Sequence, residues 1–482
     1  MVFSSLLFVF AFFALNMLIY HLAPTIRAKN TVMLVFSLVF YAWAGPAYLA
    51  LLLSMTFVDY RAALIMENSR TVGARKAGLI LGCGFNLLLL GIFKYLTFFL
   101  ENINLLFPFT DSVPQILLPI GISFYTFQLL SYVVDVYRGD VAAQKKFTTL
   151  LLYVSLFHQC IAGPIVRYET VAKELTNRSV TAEDRAYGIR RFCMGLLKKA
   201  VFANRCGMLA DTFLVAVSAP QGETILMSRP ALSIILGTLC YTLQIYLDFS
   251  AYSDMAIGMG RIIGFHYLEN FNYPYIASTV TDFWRRWHIS LSSFFRDYVY
   301  IPLGGSRCKK HRIIFNLLVV WACTGFWHGA SWNYVLWGLY YFLLLALEKF
   351  VCPNFFKKLP RALSHVYVLL VVNFGWMLFR SEELSWLGAQ IRGIFCLNGN
   401  AFSDYETMTT LKANVFFLLA AILACTPIVK YLGEKLRDWG ERSATVTTLT
   451  SLADSLFPVF TVILAAAVLV GESYNPFLYF RF

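Results

Sequence analysis

Apolar runs of bilayer-crossing length recur along the whole chain, and they leave few folds open. A membrane-spanning helix needs about 20 mostly apolar residues. Runs near that length lie at 3–21, 31–44, 46–59, 77–98, 117–134, 192–217, 230–247, 313–330, 332–347, 364–379, 413–429 and 456–471. Of 482 residues, 59% are hydrophobic and only 14% are charged, against roughly a quarter charged in a soluble domain. Such a chain cannot present a solvated surface, which excludes a soluble enzyme, a disordered chain and a fibrous repeat. The runs are continuous and do not alternate at period two, so an outer-membrane barrel is not expected. The expected class is an all-α polytopic membrane protein. Several runs are short, so some helices should be tilted, broken or re-entrant. Lys198, Lys199 and Arg205 interrupt the 192–217 run and make it the weakest candidate span.

The formal net charge is +13. In a soluble protein this would raise nucleic acid as a partner. Here much of the excess sits in short loops, as the positive-inside rule requires, so lipid and not nucleic acid is the expected environment. Arg27 with Lys29, the group Arg61, Arg70, Arg75 and Lys76, and the group Arg307, Lys309, Lys310 and Arg312 are expected in the cytoplasm. The 99–116 loop holds Glu101 and Asp111 and no base. The 381–411 loop holds Glu382, Glu383, Asp404 and Glu406 against Arg392. Both loops are expected outside. The apolar stretch 147–163 is flanked by bases on both sides (Lys145 and Lys146, then Arg167 and Lys173) and ends in Ala162, Gly163 and Pro164. A broken or re-entrant helix satisfies both flanks. Residues 1–21 lack a basic leader and a polar cleavage zone and are expected to remain as a first helix. The ten cysteines, Cys352 among them, form no C-x-x-C and read as small buried hydrophobes. No linker and no strong internal repeat divides the chain, so one membrane domain over 1–482 is expected, and the missing repeat weighs against a secondary transporter.

Polar residues inside apolar context are costly and point to function. Three stretches stand out. The first is TDFWRRWHISLSSFFRDYVYIPLGG at 281–305. Read as one helix, it places Trp284, Arg285, His288, Ser292 and Arg296 within an arc of about 120°. Such a stripe suits an anionic, thioester-linked donor, because guanidinium pairs with phosphate. It is equally an interfacial helix with snorkelling Arg and anchoring Trp. The second, within 313–347, carries Thr324, Gly325, His328, Gly329 and Ser331. The glycines four apart thin one side and permit close approach of backbone or ligand. Burial disfavours a charged imidazole, and the neutral ring is the form that accepts a proton from a hydroxyl. The competing reading is a structural His bonded across helices. The third, 241–261, carries Gln244 and Asp248 on one face. An internal ion pair is the plainer reading; orienting a catalytic His is the sharper one. No H-E-x-x-H, C-x-x-C, P-loop or G-x-S-x-G occurs, so no metal site or nucleotide loop is expected.

The run DFWRRWHISLSSFFRDYVYIPLGGSR at 282–307, followed by TGFWHGASWNYVLWGLYY at 324–341, resembles the membrane-bound O-acyltransferase family, and within it the bacterial alginate O-acetylation branch. MVFSS at 1–5, PIGISFYTF at 119–127, AGPIVRY at 162–168, DFSAYSDMAIG at 248–258 and YNPFLYFRF at 474–482 carry the same resemblance. It implies roughly eleven membrane helices around a funnel or tunnel, with core motifs in 119–347 and further helices in the membrane plane. It implies a catalytic His at 328 and a second, family-typical His at 288. It also implies a multi-pass protein of the bacterial inner membrane and an extracytoplasmic SGNH-type acetyltransferase partner.

The enzyme so implied moves acetyl from a cytoplasmic thioester, acetyl-CoA or another acyl thioester, toward O-acetylation of an exopolysaccharide or cell-wall polymer. No cofactor is permanently bound. His328 would be the general base. His288 would orient the donor or stabilise an oxyanion. Trp284, Arg285, Arg286 and Arg296 would bind the donor. Asp248, Gln244, Thr324 and Ser331 would support the site. The alternatives are D-alanyl transfer to teichoic acid from a carrier-protein thioester, a transporter or flippase without acyl chemistry, and a scaffold with a degenerate site.

Overall fold

The computed structural model describes residues 2–43, 45–110, 112–217, 219–351, 359–440 and 443–471. Met1, Asp111, Cys352 and the 474–482 motif lie outside the described residues. Among the described residues every regular element is a helix. Among the described residues, seven helices are long and apolar enough to cross a membrane: Pro46–Asn68, Val72–Leu106, Ala231–Ile263, Trp332–Val351, Arg361–Arg380, Tyr405–Ala424 and Ala444–Gly471. Leu7–Leu22 is a shorter apolar helix.

Three expected runs differ in detail, each for a local reason. The 117–134 run turns helical only at Ile122, after Gly121 at φ 77°. A Cβ on Gly121 would stand 2.7 Å from the Cys160 carbonyl oxygen, so this entry turn needs glycine for space as well as for conformation. The 192–217 run resolves into Ala182–Leu197, a π turn Lys198–Ala203 and Asn204–Phe213. Lys198 and Lys199 sit in the π turn, where the regular ladder is already interrupted, and Arg205 follows in the next helix. The 281–305 stretch is not one helix. It breaks at Trp287 and His288 into Val280–Arg286, Ile289–Phe295 and a π turn Arg296–Tyr300.

The chain forms two compact units. The first comprises Met1–Phe192 and Tyr252–Glu269; the second comprises Cys193–Ala251 and Asn270–Phe482. In the first, Pro46–Asn68 and Val72–Leu106 form a tight hairpin in which Gly78 and Gly82 admit Met66 and Asp59. Phe3, Phe8, Phe12, Phe40 and Phe157 stack into an aromatic core. The 147–163 stretch is broken: Phe147–Ser155 ends at Leu156 (φ −43°, ψ 112°), and a single turn Phe157–Cys160 follows.

In the second unit, Lys310–His328 and Trp332–Ala346 pack as an antiparallel pair. Their contact is backbone against backbone. A Cβ on Gly325 would lie 2.5 Å from the Tyr334 carbonyl oxygen, and one on Gly338 would lie 2.5 Å from that of Trp321. Gly325 therefore serves helix packing, and Gly329 makes room for the Tyr334 ring. Trp287, Trp337, Trp376, Tyr341 and Phe379 fill the core beside this pair.

Candidate active site

The short helix Val280–Arg286 begins with two caps. Thr279 Oγ1 accepts from Asp282 N–H at 3.0 Å. The Glu348 carboxylate accepts from Val280 N–H (2.7 Å), Thr281 N–H (2.9 Å) and the Thr281 hydroxyl (2.8 Å). A buried anion at a helix N-terminus meets both the unpaired amides and the positive end of the dipole. The helix stops because Trp287 is extended and His288 is left-handed, at φ 45°.

Asn270 holds that break. Its backbone oxygen accepts from Ile289 N–H at 2.9 Å. Its Oδ1 accepts from Ser290 N–H at 3.2 Å and from the Ser290 hydroxyl at 2.8 Å. A backbone amide can only donate, so the atom facing it is the amide oxygen. The same Oδ1 lies 3.2 Å from His288 Nδ1. Two acceptors would repel at that distance, which assigns the imidazole hydrogen to Nδ1. Phe249 stands edge-on to the His288 ring at 4.7 Å and Trp327 at 5.5 Å. His288 is 1% exposed, and its Nε2 has no hydrogen-bond partner among the described residues.

His328 is the last residue of Lys310–His328, which ends where Gly329 becomes fully extended. Its ring is buried edge-on against Trp327 and Trp337, both at 4.9 Å, and Phe379 at 5.1 Å.

A cavity of about 780 Å³ lies within the second unit. His288 and His328 both line it, together with Trp284, Arg285, Arg296 and Thr324. Three other polar residues on its wall, Thr279, Glu348 and Lys349, lie outside the sequence motifs. Glu348 is an acid inside an apolar run, the signal that flags such a position. Asn270 has no such signal; only the fold brings it to His288.

Arg286, Asp248, Gln244 and Ser331, also expected at the site, lie off this wall. Arg286 is absent from the wall; it donates to Asp282 at 3.0 Å and to the Asn272 carbonyl at 3.3 Å. One residue past Arg285, it points about 100° round the helix from it. Arg296 lines the cavity while paired with Asp297 at 2.6 Å, and that hydrogen bond raises its pKa above the usual range. Arg285 is exposed and makes no ion pair among the described residues. Asp248 pairs with Lys199 at 2.7 Å, with both side chains buried. Gln244 is buried one turn before it, and neither lines the cavity. Ser331 precedes the helix that starts at Trp332 and is also absent from the wall.

The geometry thus brings together two imidazoles, an unpaired guanidinium and an indole in one chamber. The family profile described as membrane-bound O-acyltransferase matches residues 142–385. The protein named probable alginate O-acetylase AlgI of Azotobacter vinelandii is 35% identical, with all of both chains covered. The peptidoglycan O-acetyltransferase of Helicobacter pylori is 33% identical over 83% of this chain and 80% of its own length. The teichoic acid D-alanyltransferase of Bacillus subtilis is 30% identical over 54% of this chain and 67% of its own.

Proposed function

The chain belongs to the membrane-bound O-acyltransferase family and is a multi-pass bacterial membrane protein, and from that premise we propose that it transfers acetyl from a cytoplasmic thioester, acetyl-CoA, toward an extracytoplasmic polysaccharide or cell-wall polymer. The observation that carries this reading is the meeting of His328, His288, Trp284, Arg285 and Arg296 on one cavity wall. The wider coverage of the two O-acetylating relatives favours acetyl over D-alanyl as the cargo.

In this mechanism the neutral ring of His328 takes the proton of an acceptor hydroxyl. The oxygen attacks the thioester carbonyl, a C–O bond forms and the C–S bond breaks. The departing thiolate recovers the proton from His328 and leaves as free CoA. General base catalysis of this kind contributes roughly 10²–10⁴-fold. Arg285 and Arg296 pair with donor phosphates, and Trp284 packs against the donor. His288, with its hydrogen on Nδ1 and directed at Asn270, offers a lone pair at Nε2. That suits accepting a hydrogen bond from a donor amide or hydroxyl better than donating one to an oxyanion. A chamber walled by aromatic rings limits loss of the thioester to water. The acceptor outside the membrane is reached through an SGNH-type acetyltransferase partner.

The test is acetyl transfer from labelled acetyl-CoA by membranes carrying His328→Ala. Loss of at least a hundredfold, with the protein present at its normal level, is expected. Near-normal transfer would refute the assignment.

A further inference from the structure

A second cavity, of about 190 Å³, lies in the first unit where the Leu7–Leu22 helix ends and Ile26–Ala42 begins. Its wall includes Tyr20, His21, Lys29, Arg178 and Arg185, and no carboxylate. Arg178 is only 9% exposed. Its Nε donates to the Tyr20 hydroxyl (3.2 Å) and the Ile263 carbonyl (2.9 Å), and one terminal nitrogen donates to Asn30 Oδ1 (2.7 Å) and the Glu174 carbonyl (3.1 Å). The other terminal nitrogen, Nη2, is buried with no hydrogen-bond partner among the described residues. Phe265 lies 4.8 Å from the guanidinium carbon.

Of the acids nearby, Glu174 holds His266 at 2.6 Å and also acts on Arg178, and Asp184 holds Arg261 at 3.1 Å. Lys29 rests over the Tyr20 ring at 5.3 Å and makes no ion pair among the described residues, and neither does Arg185. Three permanent cations line a recess whose wall carries no carboxylate. Arg27 and Lys29 also follow the first apolar helix, where the charge rule expects the cytoplasmic surface. That is the leaflet face where anionic headgroups attract basic residues.

We infer that this recess binds a phosphate group that bears net negative charge, presented by an acidic phospholipid headgroup or as free inorganic phosphate. Arg178 contributes positive charge from the wall, and Lys29 and Arg185 supply charge and donors at the rim. The inference does not rest on the acyl-transfer reading.

The test uses the full-length protein in detergent, titrated with short-chain phosphatidylglycerol, short-chain phosphatidylcholine or inorganic phosphate, with binding read by native mass spectrometry and thermal shift. Each rim cation near an anionic surface is worth about 1 kcal/mol. Lys29→Gln should therefore weaken phosphatidylglycerol binding roughly fivefold, and Lys29→Gln/Arg185→Gln roughly thirtyfold, with phosphatidylcholine unaffected. Both variants keep the Arg178 hydrogen bonds, and the single change keeps the test open should the double variant fold poorly. Inorganic phosphate that displaces the lipid from the wild type identifies the free anion as a sufficient ligand. Lipid that stays bound against phosphate identifies the headgroup. Equal phosphatidylglycerol affinity in wild type and Lys29→Gln overturns the proposal.

Discussion

His288 Nδ1 and Asn270 Oδ1 lie 3.2 Å apart, and the same Asn270 oxygen accepts from Ser290 on the far side of the helix break. One side chain thus sets both the direction of the imidazole and the left-handed backbone that presents it. A non-glycine residue held there costs of order 1–3 kcal/mol and persists only when its surroundings enforce it.

Asn270→Ala should lower kcat for acetyl transfer by roughly 10–100-fold, because small misplacements of a reacting group cost that much. It should also destabilise the protein by about 1–3 kcal/mol through the unpaired Ser290 and His288 donors. Asn270→Asp keeps the acceptor oxygen and should recover most of the kcat. Initial rates with labelled acetyl-CoA, alongside melting in detergent, separate the two effects. Wild-type kcat in the alanine variant would rule out a positioning role.

Glu348 caps the helix that carries Trp284 and Arg285. Glu348→Gln turns one acceptor into an NH₂ group facing an amide donor. A loss of about 1–2 kcal/mol is expected, in the range of lost N-caps. KM for the donor should rise more than kcat falls, because the affected helix bears the proposed donor contacts and neither histidine. A change in kcat alone would count against this.

Arg285 and Arg286 are neighbours in sequence with different tasks. Arg285 lines the cavity, whereas Arg286 is held by Asp282. Arg285→Gln should raise donor KM about tenfold, the effect of one lost charge-assisted bond. Arg286→Gln should leave KM within about twofold, since a half-exposed pair on one helix contributes little. Equal effects would mean that the cavity is not where the donor sits.

Lys199 and Asp248 form an ion pair at 2.7 Å, with side chains 3% and 2% exposed. Removing one partner leaves the other charged and buried, so Lys199→Met should cost about 3–5 kcal/mol. The double change Lys199→Met/Asp248→Leu should recover most of that loss. Thermal unfolding in detergent reads both. A silent single variant would show that water reaches the pair.

The helical class, the apolar helices and the two histidine motifs were legible in the sequence, because hydropathy and local spacing carry them. The break at Trp287 and His288 was not. DFWRRWHISLSS reads as continuous helix from within, and what holds it broken comes from Asn270, eighteen residues back. The wheel that grouped Trp284 with Arg296 assumed an unbroken 100° step, yet both residues reach the same wall because the chain re-enters a helix at Ile289. Lys199 was visible as a base spoiling an apolar run. Its partner Asp248 was visible as an acid in another, but pairing them needed the fold.

The glycine seam between Lys310–His328 and Trp332–Ala346 limits how this chamber can be re-tailored. With main chain resting on main chain at Gly325 and Gly338, the wall that bears Thr324 and His328 has no slack to retreat from a bulkier cargo. A catalyst for longer acyl chains would have to gain its room by trimming side chains such as Leu291 or Leu345, and the scaffold that aims the imidazole would stay put.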